Sequence, residues 1–248
     1  MQLDVVPNSN SKDRKITRHE ARFGITSFIY RARRPFHPGR LRDLFLEPYF
    51  ASVEHDEEEE EKMTEAEKLA KLEEDQKEAD EKKIKRAETM GELLRSKGFI
   101  WIATSHNLIG HWQQAGSVIY LGAESYWMCE VREQWEDSPS ASLILKDMQQ
   151  SNGEEWKYAD RRQELVFIGQ GLKHEVIQKL LDQSLLDDEE MALGPDEWEG
   201  TMADDDTIQL AIPGEDDEDS EEEEEGDSDE QADEDNSDEV PVKKRKTE

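Results

Sequence analysis

The sequence predicts an α+β fold: a small antiparallel sheet with helices packed on one face, a long charged helical insertion and a disordered acidic tail. Three observations predict it. Short β-branched and aromatic runs recur at 24–30, 98–104, 117–121 and 165–169, as in strands. Amphipathic helical patterns follow the first and last of these runs, an order typical of helices on one face of a sheet. The remaining charge is concentrated in two separate stretches.

Composition limits the folded part to one modest core. Charged residues make up 38% of the 248 residues and apolar residues 34%, whereas globular domains average about 25% and 45–50%. The net charge of −32 is uneven, because residues 196–239 hold 24 acidic residues and no Lys or Arg. Phosphate repulsion therefore opposes direct nucleic-acid binding by this stretch.

The first half of the chain contains a strand, a short helix and the insertion. Residues 1–22 read as a linker or lead-in, and the strand at 24–30 opens a domain that we place at 23–195. Apolar side chains then recur at helical spacing at Leu41, Leu44, Phe45 and Tyr49. The insertion spans 54–97, and its helix begins at a capping box at Thr64 and continues to Arg95. A coiled-coil dimer is the weaker alternative, because no sustained heptad seam is present.

The second half supplies the other strands. A turn through Asn107 and Gly110 separates the strands at 98–104 and 117–121, and a helix with an apolar face at 176–185 follows the last strand. Residues 196–248 are predicted to be a disordered acidic tail.

A basic cluster around the first strand is the main candidate for a partner-binding face. Its members are Arg31, Arg33, Arg34, Arg40 and Arg42. Their partner could be a protein domain, an acidic client or the acidic segments of this chain. The alternative is a strand edge that charge protects from aggregation.

His106 and His111 could provide two imidazole ligands for a weak Zn²⁺ site in the turn between two strands. The alternative is a pair of ordinary loop histidines. Cys129 is the single cysteine, so a thiolate-rich metal site within one chain and an intramolecular disulfide are excluded. It could be a reactive thiol or a third ligand, or simply a small buried side chain.

Three blocks resemble the C-terminal domain of the CobW-type GTPases, in particular the zinc-related branch of that family. They are FIYRARRPFHP at 28–38, RSKGFIWIA at 95–103 with Trp112 and QAG at 114–116, and DRRQELVFIG at 160–169 continuing to Glu190. The blocks occur in family order across residues 23–200, with the charged helix as an insertion.

The sequence departs from the family in its GTPase half. The phosphate-binding Gly-x-x-x-x-Gly-Lys-Ser/Thr loop, the Cys-x-Cys-Cys motif and the Asn-Lys-x-Asp guanine reader are absent from these residues. We therefore expect a non-catalytic binding and regulatory domain with no cofactor of its own, in which GTP enters only through a GTPase half. The chain is either a piece of a longer GTPase or the partner of a separate one.

The tail allows a second function class: a nuclear acidic protein that binds basic clients such as histones. Lys243, Lys244, Arg245 and Lys246 form a basic patch typical of nuclear-localisation signals. No signal peptide and no apolar run of about 18 residues is present. The sequence therefore predicts a cytoplasmic or nuclear protein without a membrane span.

Overall fold

The computed structural model describes residues 22–52, 63–203, 208, 210 and 212. All of them lie in one compact unit, Met1–Pro213. Among these residues, no helix combines the length and the apolar character that crossing a membrane requires. The predicted tail beyond residue 212, with its basic patch, lies outside the described residues.

Six strands form a single sheet in the order β1-β6-β3-β4-β5-β2. The strands are β1 Ile25–Ala32, β2 Ala51–Ser52, β3 Glu92–Ile100, β4 Leu108–Ala115, β5 Val118–Tyr126 and β6 Gln163–Gln170. All neighbours pair antiparallel except the two-residue β2, which pairs parallel with β5. The predicted α+β class with an antiparallel sheet is confirmed.

Helices connect and cover the strands. They are α1 Pro38–Leu41, continued by a π-helical turn at Arg42–Leu46, α2 Glu65–Met90, α3 Arg132–Trp135, α4 Ala141–Met148, α5 His174–Ser184, α6 Asp188–Leu193 and α7 Pro195–Met202. The main core lies between one face of the sheet and the helices α1 and α5, where Phe45 of the π-helical turn and Leu181 of α5 are fully buried. These helices pack on the sheet face that carries Phe28 and Phe167, whose rings stack at 5.1 Å.

The long charged helix exists, but it is shorter than predicted. α2 begins at the predicted capping box, in which Thr64 and Glu67 satisfy each other's backbone N–H groups. It ends at Met90, five residues before the predicted end at Arg95, because Gly91 takes a φ of 88°. A Cβ at Gly91 would lie 2.3 Å from the carbonyl oxygen of Gly171, so the chain turns here and enters β3 instead of continuing the helix.

The stretch predicted as a turn is largely strand β4. This strand places Gly110, Trp112 and Gln114 on the core side. Trp112 is fully buried, and its Nε1 donates to the hydroxyl of Ser96 at 2.8 Å. Because glycine and glutamine occupy core positions, the alternation of apolar and polar residues on which strand prediction relies is hidden here.

The ordered chain also extends beyond the predicted end of the domain. We predicted a tail from residue 196, yet α7 continues to Met202 and buries Trp198 completely. Trp198 joins Trp101 and Trp127 in a second apolar cluster. One buried tryptophan thus orders a segment whose acidic composition indicated disorder.

Candidate binding surfaces

A cleft of about 690 Å³ opens where β1 ends. Its walls come from the segment after β1, the residues before α6 and the segment preceding β6. Side chains of both charges and several apolar side chains line it: Ala32, Arg33, Arg34, Arg40, Trp156, Lys157, Tyr158, Arg161, Asp182, Gln183, Leu185, Leu186, Asp187, Asp188 and Met191. Three of the five predicted arginines therefore lie in one cleft.

Two of these arginines hold helix α6 against the domain. Arg40 forms a two-pronged pair with the Glu190 carboxylate, at 2.7 and 2.5 Å, and also donates to the carbonyl of Leu185. The hydrogen bonds to Glu190 raise the pKa of Arg40, and those from Arg40 lower the pKa of Glu190. Arg34 pairs with Asp188 and donates to the carbonyl of Leu186.

The other three arginines are also engaged within the chain. Arg33 donates to the carbonyl of Ala159 at 2.9 Å, and its guanidinium lies 4.8 Å from the Trp156 ring. Arg31 pairs with Glu164 on the neighbouring strand at 2.8 Å, and Arg42 pairs with Asp43. These contacts give every predicted arginine a local structural role, while binding of a partner by these residues stays a prediction.

The two histidines have different surroundings. His106 Nδ1 accepts a hydrogen bond from Trp101 Nε1 at 3.2 Å, and its ring contacts Trp198 at 5.3 Å. Burial, helped by the charge of Arg161, lowers the pKa of His106 to about 3. His111 lies within β4 and its Nε2 contacts the amide of Gln113 at 3.1 Å. The structure thus gives each histidine its own local partner.

The described part of the chain does not bring a third possible metal ligand to these two histidines. No group of three or more His, Cys, Asp or Glu able to hold a metal ion is found there. A weak Zn²⁺ site at His106 and His111 therefore stays a prediction.

Cys129 belongs to a polar network centred on Asp160 and Arg161. The Asp160 carboxylate accepts from the backbone N–H groups of Met128 and Cys129, at 2.8 and 3.1 Å. Arg161 donates to the Cys129 sulfur at 2.8 Å and pairs with Glu130. Burial raises the pKa of the Cys129 thiol to about 12, so the thiolate needed for nucleophilic attack is disfavoured at neutral pH.

The sheet face opposite α1 and α5 forms a second surface, which the sequence did not predict. Burial alternates along the strands, and the side chains on this face line up across five strands. We define the open face by two such rows: Ser27, Ile168, Arg95, Ala115 and Val118 in the first, and Ile29, Val166, Lys97, Gln113 and Tyr120 in the second. The sequence signal for this face is a near-continuous apolar run such as LVFI at 165–168, because such a run places apolar side chains on both faces of the sheet.

A third row, Arg31, Glu164, Phe99, His111 and Gly122, closes one end of the open face. Phe99 contacts the Trp127 ring edge-on at 6.0 Å, and the guanidinium of Arg162 lies 4.9 Å from its centre. Burial acts to raise the pKa of Glu164, but the hydrogen bonds and the positive charges of Arg31 and Arg162 together lower it. The charged side chains at this end of the face are therefore paired with one another within the chain.

Comparison with known proteins finds a matching family model and a similar protein. Residues 74–185 match the model of the cobalamin synthesis protein cobW C-terminal domain. The chain is 32% identical over 191 residues to a protein of Dictyostelium discoideum named zinc-regulated GTPase metalloprotein activator 1, covering 76% of this chain and 30% of that protein. The chain thus spans about a third of the length of this relative.

Two solved structures are also similar. One is the Zn(II)-bound YjiA GTPase from E. coli, with 15% identity, coverage of 71% of this chain and 35% of that chain, and a TM-score of 0.33. The other is a Zn(II)-bound triple mutant of the YjiA GTPase, with 15% identity, coverage of 65% and 30%, and a TM-score of 0.32.

Proposed function

We propose that this chain, whose residues 74–185 match the cobW C-terminal domain family, is a non-catalytic binding and regulatory module of a zinc-related GTPase system. The match to that domain is the observation that carries the proposal. The similarity to a protein named as a zinc-regulated GTPase metalloprotein activator supports the link to zinc and GTP. In this reading the module acts on a GTPase domain, encoded with it or separately.

The chemistry of the described residues favours binding over catalysis. The thiol of Cys129 is held protonated by burial, and His106 is committed to Trp101 and surrounded by aromatic rings. Neither side chain is suited to act as a nucleophile or base at neutral pH. GTP would therefore be bound and hydrolysed by the GTPase domain, and the module would contribute contact surface.

The test combines the purified chain with the GTPase-containing remainder of the Dictyostelium relative. We expect association in isothermal titration calorimetry and a change in the rate of phosphate release from GTP when the chain is added. Trp198→Ala, which removes a buried ring from the second apolar cluster, shows whether association depends on the intact fold. Absence of both association and a change in turnover with the wild-type chain would contradict the proposal.

Localisation is a separate proposal, because it depends on residues outside the described ranges. A cytoplasmic or nuclear location is proposed from Lys243, Lys244, Arg245 and Lys246. The test fuses the whole chain to a fluorescent protein and replaces these four residues with alanine. Equal nuclear accumulation of the two fusions would rule out the basic patch as an import signal.

A further inference from the structure

The open face exposes several large apolar side chains in two groups, one on β1 and β6 and the other on β5. Ile29 is 40% exposed, Val118 40% and Tyr120 55%, and Val166 and Ile168 lie half-buried on β6, next to β1. Polar side chains usually occupy the solvent-facing side of a half-covered antiparallel sheet. Clustered apolar side chains exposed on such a face favour an interaction site over a solvated face.

Two cations lie at the centre of this face. Arg95 and Lys97 are exposed on β3, the middle strand of the five long ones. Lys97 is opposite Val166 on one side and Gln113 on the other, and Arg95 is opposite Ile168 and Ala115. Within the described part of the chain, neither side chain has an ion-pair partner. By contrast, Arg31 at the closed end is paired with Glu164.

This distribution defines the partner's chemistry. Arg95 and Lys97 have no ion-pair partner among the described residues, so burying the apolar side chains around them would leave both charges desolvated unless the partner brings carboxylates to them. Arg95 and Lys97 are far too few cations, and their neighbours too apolar, for a surface that follows a phosphate backbone. A protein surface with Asp or Glu at its centre and apolar side chains around them fits both features.

We infer that the open face is the docking surface of this module, and that its occupant is an acid-centred, apolar-rimmed patch on the GTPase domain. This inference rests on the proposed function. Arg95 and Lys97 set the orientation and specificity of docking, and Ile29, Val118 and Tyr120 supply the apolar contact area. The cleft at the end of β1 takes no part, because its arginines are engaged in holding α6 and the segment before β6.

The test compares two charge-reversal variants of the whole chain. Arg95→Glu with Lys97→Glu changes the open face, and Lys68→Glu with Lys83→Glu makes the same change in charge on the exposed surface of α2. Thermal unfolding followed by circular dichroism first establishes that both variants keep the fold. Affinity for the GTPase-containing remainder of the Dictyostelium relative is then measured at 50 and 300 mM NaCl.

We expect the open-face variant to bind at least tenfold more weakly at 50 mM NaCl, and the α2 variant to bind within about twofold of wild type. Wild-type affinity should fall with salt, whereas the affinity of the open-face variant should rise with salt, because salt screens the repulsion between its two glutamates and the acidic patch. Tyr120→Ser should weaken binding severalfold without altering the salt dependence. Together these results would establish the docking surface.

Other outcomes separate this inference from the proposed function. If the wild-type chain associates and both charge variants bind equally well, the open face is not the docking surface. The proposed function would then still stand. Failure of the wild-type chain to associate would overturn both. Binding of a fluorescent single-stranded oligonucleotide that Arg95→Glu with Lys97→Glu abolishes would assign the face to nucleic acid and overturn the inference.

Discussion

Arg40 and Glu190 lie 150 positions apart in the chain and form a two-pronged ion pair. Arg40 belongs to the short helix after β1, and Glu190 belongs to α6, where it also closes the N-terminal capping box with Asp187. Bidentate arginine–carboxylate pairs are among the strongest side-chain interactions in proteins. The pair therefore fixes α6 and its cap to α1.

Glu190→Gln should destabilise the fold by about 1–2 kcal/mol, because the Arg40 guanidinium keeps its charge but loses its carboxylate partner, and both side chains are partly exposed. The folded-state pKa of Glu190 is lowered, so its contribution is present above the unfolded pKa of about 4.3 and is lost as pH falls through the folded value. Urea unfolding at pH 7 and pH 4 measures both effects. Arg42→Gln is the control, and an equal loss in it would show that Arg40 and Glu190 have no special role.

Trp198 should be the most sensitive single position in the C-terminal part of the domain. Its ring contacts those of Trp101, His106 and Tyr158 at 6.1, 5.3 and 5.8 Å, and its Nε1 donates to the carbonyl of Glu190 at 2.8 Å. Trp198→Ala should cost about 3–5 kcal/mol of unfolding free energy.

Leu193→Ala is the matched control for Trp198→Ala, since Leu193 is 45% exposed at the end of α6. Guanidinium unfolding followed by tryptophan fluorescence compares the two variants. A loss below about 1 kcal/mol in Trp198→Ala would mean that the cluster repacks without the ring.

The parts of the fold that follow local rules could be predicted from the sequence. The capping box at Thr64 and the apolar face of the helix around Ile177 and Leu181 are local patterns, and the structure contains both. The end of α2 could not be located in this way. The sequence ELLR at 92–95 favours helix, and only pairing of β3 with β6, together with the close approach of Gly91 to Gly171, turns it into strand.

The candidate surfaces show the same difference between local sequence patterns and contacts that depend on the fold. The arginines around β1 are visible in the sequence, but their partners Glu164, Asp188 and Glu190 lie more than 100 positions away. Sequence reasoning therefore could not separate a binding face from a set of internal ion pairs. The open face was missed because it depends on the register between strands, which only the fold specifies.

His106 should remain neutral through the physiological range. Burial among Trp101, Tyr158 and Trp198, with the charge of Arg161 nearby, lowers its pKa to about 3. Because the unfolded state takes up a proton near pH 6.5 while the folded state does not, this residue reduces stability as pH falls from about 6.5 towards 3.

Two-dimensional NMR of the histidine ring nitrogens tests this directly: the His106 resonances should stay constant between pH 8 and pH 5. The same spectra recorded with ZnCl₂ test the predicted metal site, since binding would shift the resonances of both His106 and His111. Titration of His106 near pH 6.5 would contradict the buried, neutral state.

Arg86 should anchor the long helix α2 to the sheet. Its side chain is 2% exposed, lies 4.9 Å from the Phe50 ring, and donates to the carbonyls of Tyr49 and Gly116 at 3.1 and 2.6 Å. Burial lowers the pKa of Arg86. In Arg86→Met the Tyr49 carbonyl would lose this donor, whereas Gly116 would keep its bond from Gln114, so we expect a loss of about 1–3 kcal/mol.

Hydrogen–deuterium exchange gives the readout specific to anchoring by Arg86. Amides in the second half of α2 should exchange faster in Arg86→Met, while those of β6 change only by the global loss of stability. Lys83→Met, on the exposed side of the same helix, is the control and should exchange like the wild-type chain. Helix propensity differs little between arginine, lysine and methionine, so the two variants differ mainly in the Arg86 contacts. Equal exchange in both variants would mean that helix propensity and the contact of Met90 with the core hold α2 in place without Arg86.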